Sequence, residues 1–178
     1  MKKFYFLTAS LVISLLFCSY CFYNQYQQEK YLNEMFSKCI DETDCCFGID
    51  YTKLDDSTKD YYLEKMYSNL FTASNILQFT SYANVENKEK NSENAISKLY
   101  LLLISCNHSN NKLDKIITRQ DIFNYLHFIS IDPQNKYYWI QLTKVENEIE
   151  KKYSIVPLIH RDIFLYANIS VIYLNIII

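Results

Sequence analysis

Glycine and proline are scarce in this chain, with one glycine and two prolines among 178 residues. Sandwiches and barrels of β-strands need many tight turns, which rely on both residue types, so the scarcity argues against an all-β fold. The single glycine also excludes glycine-rich loops that bind nucleotide phosphates, because both common motifs contain at least two glycines.

An excess of charge of either sign is also lacking, since 18 basic residues face 20 acidic ones. This balance provides no strongly basic surface, and we predict no nucleic-acid partner. Aromatic residues are abundant, with 17 tyrosines and 11 phenylalanines. Because isoleucine, lysine and asparagine are abundant too, we interpret this as the coding bias of an AT-rich genome rather than a stacking surface.

Charge is missing from residues 4–23, directly after Lys2 and Lys3. The run has about the length that spans a bilayer as a helix. We predict a signal anchor over residues 1–23, with a signal peptide cleaved after Cys21 as the alternative. The two lysines would stay in the cytoplasm, so the remaining chain would be membrane-bound and extracytoplasmic, or secreted after cleavage. The predicted membrane-contacting residues include Phe4, Leu7, Leu11, Val12, Ile13, Leu15, Leu16 and Phe17.

Apolar residues recur with a period near 3.6 in five segments of the exported domain, residues 24–160. We therefore predict an all-α fold, in which the N-terminal membrane helix leads into a small bundle of about five helices. The short polar connections are too short to separate domains. Helix starts are predicted within the membrane segment, at Ser57, near Ser92, at Thr118 and at Asp132.

Four cysteines outside the membrane segment, Cys39, Cys45, Cys46 and Cys106, are predicted to form disulfides because an exported protein meets an oxidising compartment. Two connectivities stay open: Cys39–Cys45 with Cys46–Cys106, or Cys39–Cys46 with Cys45–Cys106. Their spacing is unlike that of zinc knuckles, and the flanking acidic residues do not match a calcium loop, so we predict no metal site. Gly48 is expected in a turn with a positive φ.

Catalytic motifs are not found around the three histidines. His127 lies in a mostly apolar stretch and is interpreted as a packed or edge histidine, while His108 lies in a polar loop. His160 precedes Arg161 and Asp162, but the other kinase motifs are missing. We predict no catalytic residue, no cofactor and no small-molecule substrate.

The C-terminal tail, residues 161–178, has no charged residue after Asp162. It is interpreted as a short second membrane span, as a strand packed on the domain, or as a sequence artefact. The leading functional hypothesis is an exported, membrane-tethered, non-catalytic protein that binds another protein as an accessory, inhibitor or immunity-like factor. The alternative is a two-span integral membrane protein that acts as a small subunit of a membrane complex.

Overall fold

The computed structural model describes residues 2–83, 95–107 and 110–153, with side chains in the ranges 10–83, 95–106 and 112–153. Six α-helices lie within these ranges, and a single 3-10 turn, Tyr51–Lys53, separates the first two. This confirms the predicted all-α bundle. The helices are α1 (Lys2–Phe47), α2 (Asp56–Leu77), α3 (Ala95–Asn107), α4 (Asn110–Ile117), α5 (Gln120–Ile131) and α6 (Lys136–Tyr153).

Helix α1 runs without a break for 46 residues, about 69 Å at 1.5 Å per residue. No glycine or proline interrupts it, and these are the residues that most often break helices. Every side chain from Ser10 to Tyr31 is exposed. Burial begins with Phe36 and continues to Phe47. One half of α1 therefore projects, and the other half lies inside the bundle.

Helix α2 runs antiparallel to α1. Asn33 exchanges two hydrogen bonds of 3.0 Å with Ser81, which follows α2, whereas Glu42 accepts one from Asn69 within α2. The helix starts at Asp56, and the side chain of Asp55 accepts the Thr58 backbone N–H at 2.9 Å. The predicted cap at Ser57 is therefore wrong, because an aspartate two residues earlier satisfies the helix N-terminus.

Helix α4 begins within residues 106–114, one of the short polar connections that the sequence predicts between helices. Its amphipathic pattern brings Leu113, Ile116 and Ile117 into the core, and Lys112 at its first turn donates to the Tyr153 carbonyl at the end of α6. This helix was not predicted because three apolar residues in a short segment, next to several asparagines, give only a weak helical periodicity.

Helices α5 and α6 form an antiparallel hairpin. Thr118 does not cap α5, since the helix starts at Gln120 after Arg119, whose side chain makes no capping hydrogen bond. Asp132 ends α5 instead of starting α6. The side chain of Asn135 accepts the Tyr137 backbone N–H at 3.2 Å and so acts at the start of α6.

One hydrophobic core joins all six helices. Helix α1 packs on α2 and α5, while α3 packs on α2, α4 and α6, and α5 packs on α6. The apolar stripes of α2, α3, α5 and α6 face this core. The largest fully buried side chains include Phe36, Ile40, Met66, Leu70, Leu77, Ile96, Leu99, Leu103, Ile116, Ile117, Ile122 and Leu126.

The predicted disulfides are not present, since all six cysteines are free thiols. Cys39, Cys45 and Cys46 all lie on α1. Positions six or seven residues apart on a helix are separated by about 9–10 Å along its axis, whereas a disulfide needs Cα atoms within about 7 Å. One predicted connectivity needs the Cys39–Cys45 bond and the other needs Cys39–Cys46, so neither forms in this structure.

Among the helices whose side chains the structure describes, none is both long and apolar enough to cross a membrane. The side chains of Phe4 and Leu7, which begin the predicted membrane segment, lie outside the described residues. So do His108, His160 and the tail, residues 161–178.

Candidate functional site

A buried carboxylate joins α1 to α5. Asp44 is 2% exposed, and its Oδ2 lies 2.9 Å from Nδ1 of His127. The imidazole is half-exposed and lies nearly parallel to the Phe123 ring at a centroid distance of 6.0 Å. The Phe128 ring is tilted against it at 5.9 Å. The pair fixes the angular position of α1 against α5, because a buried carboxylate without its partner would be costly.

Gly48 follows the end of α1 in a turn, as predicted, but its φ is not positive, so the conformational reason given for it is wrong. The reason is close approach. A Cβ at this position would lie 3.3 Å from Cε2 of Phe123, on α5. The missing side chain lets the end of α1 pack against the same aromatic ring that stacks on His127.

The four cysteine thiols of the bundle have raised pKa values. Burial raises the pKa of Cys39 and of Cys106, and it raises that of Cys46 to about 11. Cys45 lies at the surface, and its pKa is raised by partial burial of the sulfur and by a hydrogen bond to the Asp44 carboxylate. Because the thiolate is the nucleophilic form, these four thiols are poorly suited to nucleophilic or redox chemistry at neutral pH.

A groove of about 490 Å³ lies between α1 and α2, open to solvent. Glu42 is its electrostatic centre, with Lys65 at 3.2 Å, Asn69 at 3.3 Å and Lys38 at 3.9 Å. Hydrogen bonds from Lys65 and Asn69 lower the pKa of Glu42. The lining residues are Tyr31, Glu34, Met35, Lys38, Cys39, Glu42, Asn69 and Thr72. This mixed lining is typical of a protein-contact surface rather than of a dry ligand cavity.

Most of the exposed apolar side chains among the described residues lie in two places. The first is the projecting half of α1, where Leu11, Val12, Ile13, Leu15, Leu16 and Phe17 are all more than half exposed. The second lies on the α5–α6 hairpin. We define the α5–α6 patch as Phe128, Ile131, Tyr137 and Ile140, which are 43%, 67%, 58% and 39% exposed.

The predicted site residues end up in different environments. The structure buries Cys39, Cys46 and Cys106 in the core, leaves Cys45 at the surface, and places the six described membrane-segment residues on one exposed helix. Within the described side chains, no group of three or more His, Cys, Asp or Glu residues is arranged to hold a metal ion. Sequence reasoning missed the role of Asp44. Its position on the helical face between Ile40 and Phe47 was the available signal, since an acidic residue in an apolar stripe needs a partner.

No protein-family model, curated protein or solved structure matches this chain. Its function must therefore be argued from its own residues.

Proposed function

We propose that this chain is a membrane-tethered, non-catalytic binding protein, whose helical bundle is carried outside the cytoplasm by the continuation of its membrane helix. The observation that carries the proposal is α1. One unbroken helix begins with two lysines, continues as an exposed apolar rod, and enters the core of the bundle at Phe36. The apolar side chains exposed from Leu11 to Tyr23 would be strongly unfavourable in water. Together with residues 4–9, which the sequence shows to be uncharged, they make a stretch of about bilayer length that lipid would cover.

The length of the polar section of α1 supports a bundle that stands clear of the bilayer. The apolar run ends at Tyr23, and the unbroken stretch of exposed side chains ends at Tyr31. Eight residues of helix span about 12 Å, whereas the headgroup layer on one side of a bilayer is roughly 5–8 Å thick. The bundle would then be presented to proteins above the lipid surface.

Binding rather than catalysis is favoured by the chemistry of the described polar groups. The thiols have raised pKa values, and the Asp44–His127 pair connects two helices instead of lining the groove. The α1–α2 groove and the α5–α6 patch are the surfaces suited to a protein partner. Disulfides are not needed, because Cys39, Cys46 and Cys106 pack as small apolar side chains within a continuous core.

Membrane attachment is tested by flotation of the full chain with phosphatidylcholine–phosphatidylglycerol vesicles, followed by extraction with alkaline carbonate. We expect the protein to float and to resist extraction. The double substitution Leu15→Lys/Leu16→Lys should abolish flotation, because a charged residue at the centre of a membrane helix costs roughly 3 kcal/mol. Tyr61→Lys, at an equally exposed site on α2, is the matched control and should float normally. Release of the unmodified protein by carbonate would contradict the tether.

The side of the membrane is tested by labelling intact cells with a membrane-impermeant maleimide. Cys45 is the one exposed cysteine of the bundle itself. An extracytoplasmic bundle should be labelled slowly at mildly alkaline pH, and Cys45→Ser should remove that label. Labelling only after the cells are lysed would place the bundle in the cytoplasm.

A further inference from the structure

We propose that the α5–α6 patch is the contact between two copies of this chain tethered in the same membrane. This inference rests on the membrane tether proposed above. It assigns a self-association surface to a face that the bundle leaves exposed.

The four side chains of the patch form one continuous surface. Phe128 and Ile131 are three residues apart on α5, and Tyr137 and Ile140 are three apart on α6, so each pair lies on one helical face. The ring of Tyr138 joins the two pairs. It stacks on Phe128 at 4.8 Å and meets Tyr137 edge-on at 5.5 Å.

The patch lies at the end of the bundle from which α1 projects. Phe36, in the first buried turn of α1, stacks on Trp139 at 6.1 Å, and the Trp139 indole donates to the Pro133 carbonyl in the α5–α6 turn. Two copies inserted in one bilayer have parallel α1 helices and hold their patches at the same height. A two-fold axis parallel to α1 then brings the patch of one copy against that of the other, as in the symmetric contact of most homodimers.

Charge complementarity at the edge of the patch points to a second copy. Asp132 and Lys136 flank the α5–α6 turn, the aspartate exposed and the lysine partly so. Neither side chain forms an ion pair within the described part of the chain. Two-fold symmetry would place Asp132 of each copy near Lys136 of the other, giving two equivalent ion pairs around an uncharged centre. The patch itself carries no charge that would oppose its own copy.

The size of the patch explains why the tether matters. Four side chains exposed to this extent offer about 400 Å² per copy, roughly half of what each partner buries in a stable interface. Such a contact is weak between freely diffusing molecules. Confinement in one membrane raises the effective concentration and fixes the relative orientation of the copies.

The test uses the full chain reconstituted in vesicles and a carbodiimide, which joins a carboxylate directly to an amine it contacts. We expect a crosslinked dimer in which mass spectrometry finds Asp132 joined to Lys136. Ile131→Asp should reduce the dimer at least ten-fold, because it places two like charges at the centre. Tyr61→Asp, 60% exposed before substitution and at the opposite end of the bundle, should leave the dimer unchanged.

A second test exchanges the charges of Asp132 and Lys136, so that the conclusion does not depend on Ile131→Asp alone. Asp132→Lys alone and Lys136→Asp alone should each lower the yield of dimer in vesicles, measured by fluorescence energy transfer between labelled copies, and the double variant should restore it. A vesicle-bound protein that shows no dimer, or in which Ile131→Asp and Tyr61→Asp behave alike, overturns the self-association while the tether stands. A protein that does not float with vesicles overturns both.

Discussion

The carboxylate of Asp44, buried on α1, lies 2.9 Å from the Nδ1 atom of His127, half-exposed on α5. The pair connects the helix that projects from the bundle to the hairpin that carries the α5–α6 patch. The contribution of this contact to the free energy of unfolding can be measured. We expect a double-mutant cycle with Asp44→Ala and His127→Ala to show a coupling of about 1–3 kcal/mol in the free energy of unfolding, since a buried carboxylate loses its partner.

The control for this cycle is Asn124→Ala, which removes an exposed polar side chain from the same helix. It should change the free energy of unfolding by less than about 0.5 kcal/mol. Urea denaturation followed by circular dichroism measures the four proteins of the cycle and this control. Additive effects of the two substitutions would show that the 2.9 Å contact contributes nothing to folding.

Gly48 and Phe123 provide a second test of how α1 meets α5. Gly48→Ala would place a methyl group 3.3 Å from the Phe123 ring, which is held by stacking on His127. We expect a loss of about 1 kcal/mol from overpacking. In a Phe123→Leu background the same substitution should be neutral or stabilising by a few tenths of a kcal/mol, because alanine restricts the unfolded chain more than glycine does. Equal effects in the two backgrounds would exclude the steric explanation.

The two halves of α1 should respond differently to proline. Gln27 and Lys38 are both exposed, but only Lys38 lies in the half that packs in the bundle. Proline in a helix removes a backbone hydrogen bond and creates a clash, which costs the helix about 3 kcal/mol or more at that point. The cost lowers the stability of the bundle only where the helix folds together with it. We expect Lys38→Pro to destabilise the bundle by that amount. Gln27→Pro should leave its thermal unfolding, followed by fluorescence of the single tryptophan, unchanged within about 0.5 kcal/mol. An equal loss at both sites would mean that the projecting half belongs to the cooperative core.

The cysteines lead to a prediction of the number of free thiols and of how stability depends on pH. Thiol titration in guanidinium should find six free thiols, and reduction should not alter migration on a gel, since all cysteines are free. Burial raises the pKa of Cys46 from 9.0 to about 11, so the folded state keeps a proton that the unfolded chain releases. Its contribution to stability is then complete below pH 9 and is lost as the pH rises toward 11.

The measurement is thermal unfolding under reducing conditions from pH 7 to pH 11. Cys46→Ala should show a smaller decline in Tm between pH 9 and pH 11 than the unmodified protein. Cys45→Ala serves as the control at an exposed neighbour and should follow the unmodified protein more closely. Identical slopes for all three proteins would contradict a buried, protonated Cys46.

The helices that pack with a strong apolar stripe could be predicted from sequence, because burial of that stripe determines the fold. Leu63, Met66 and Leu70 on α2 are examples, and so are Leu142 and Ile149 on α6. Helix starts were less predictable. Asp55 was preferred over Ser57 because capping depends on where tertiary packing places the first turn, which neighbouring residues alone do not reveal.

The cysteines show why the site itself could not be predicted. The stretch around Cys39, Cys45 and Cys46 contains acidic residues and precedes the turn expected at Gly48, so no local pattern indicated that the first helix continues through it. In the structure the helix continues to Phe47, since Phe36, Ile40 and Phe47 lie on one face and are all buried. Once the segment is helical, a disulfide between its cysteines is geometrically excluded. The Asp44–His127 contact joins residues 83 positions apart, a separation that no local pattern encodes.

The unbroken course of α1 has a mechanical consequence. A helix without glycine or proline is stiff over its length. The C-terminal half of α1 is held by Asn33 to Ser81, by Phe36 to Trp139 and by Asp44 to His127, which lie in three different parts of the bundle. Any rotation or tilt imposed on the exposed N-terminal half is transmitted as torque to the core instead of being absorbed by a joint. The orientation of the α1–α2 groove and of the α5–α6 patch therefore follows the orientation of the projecting half of α1.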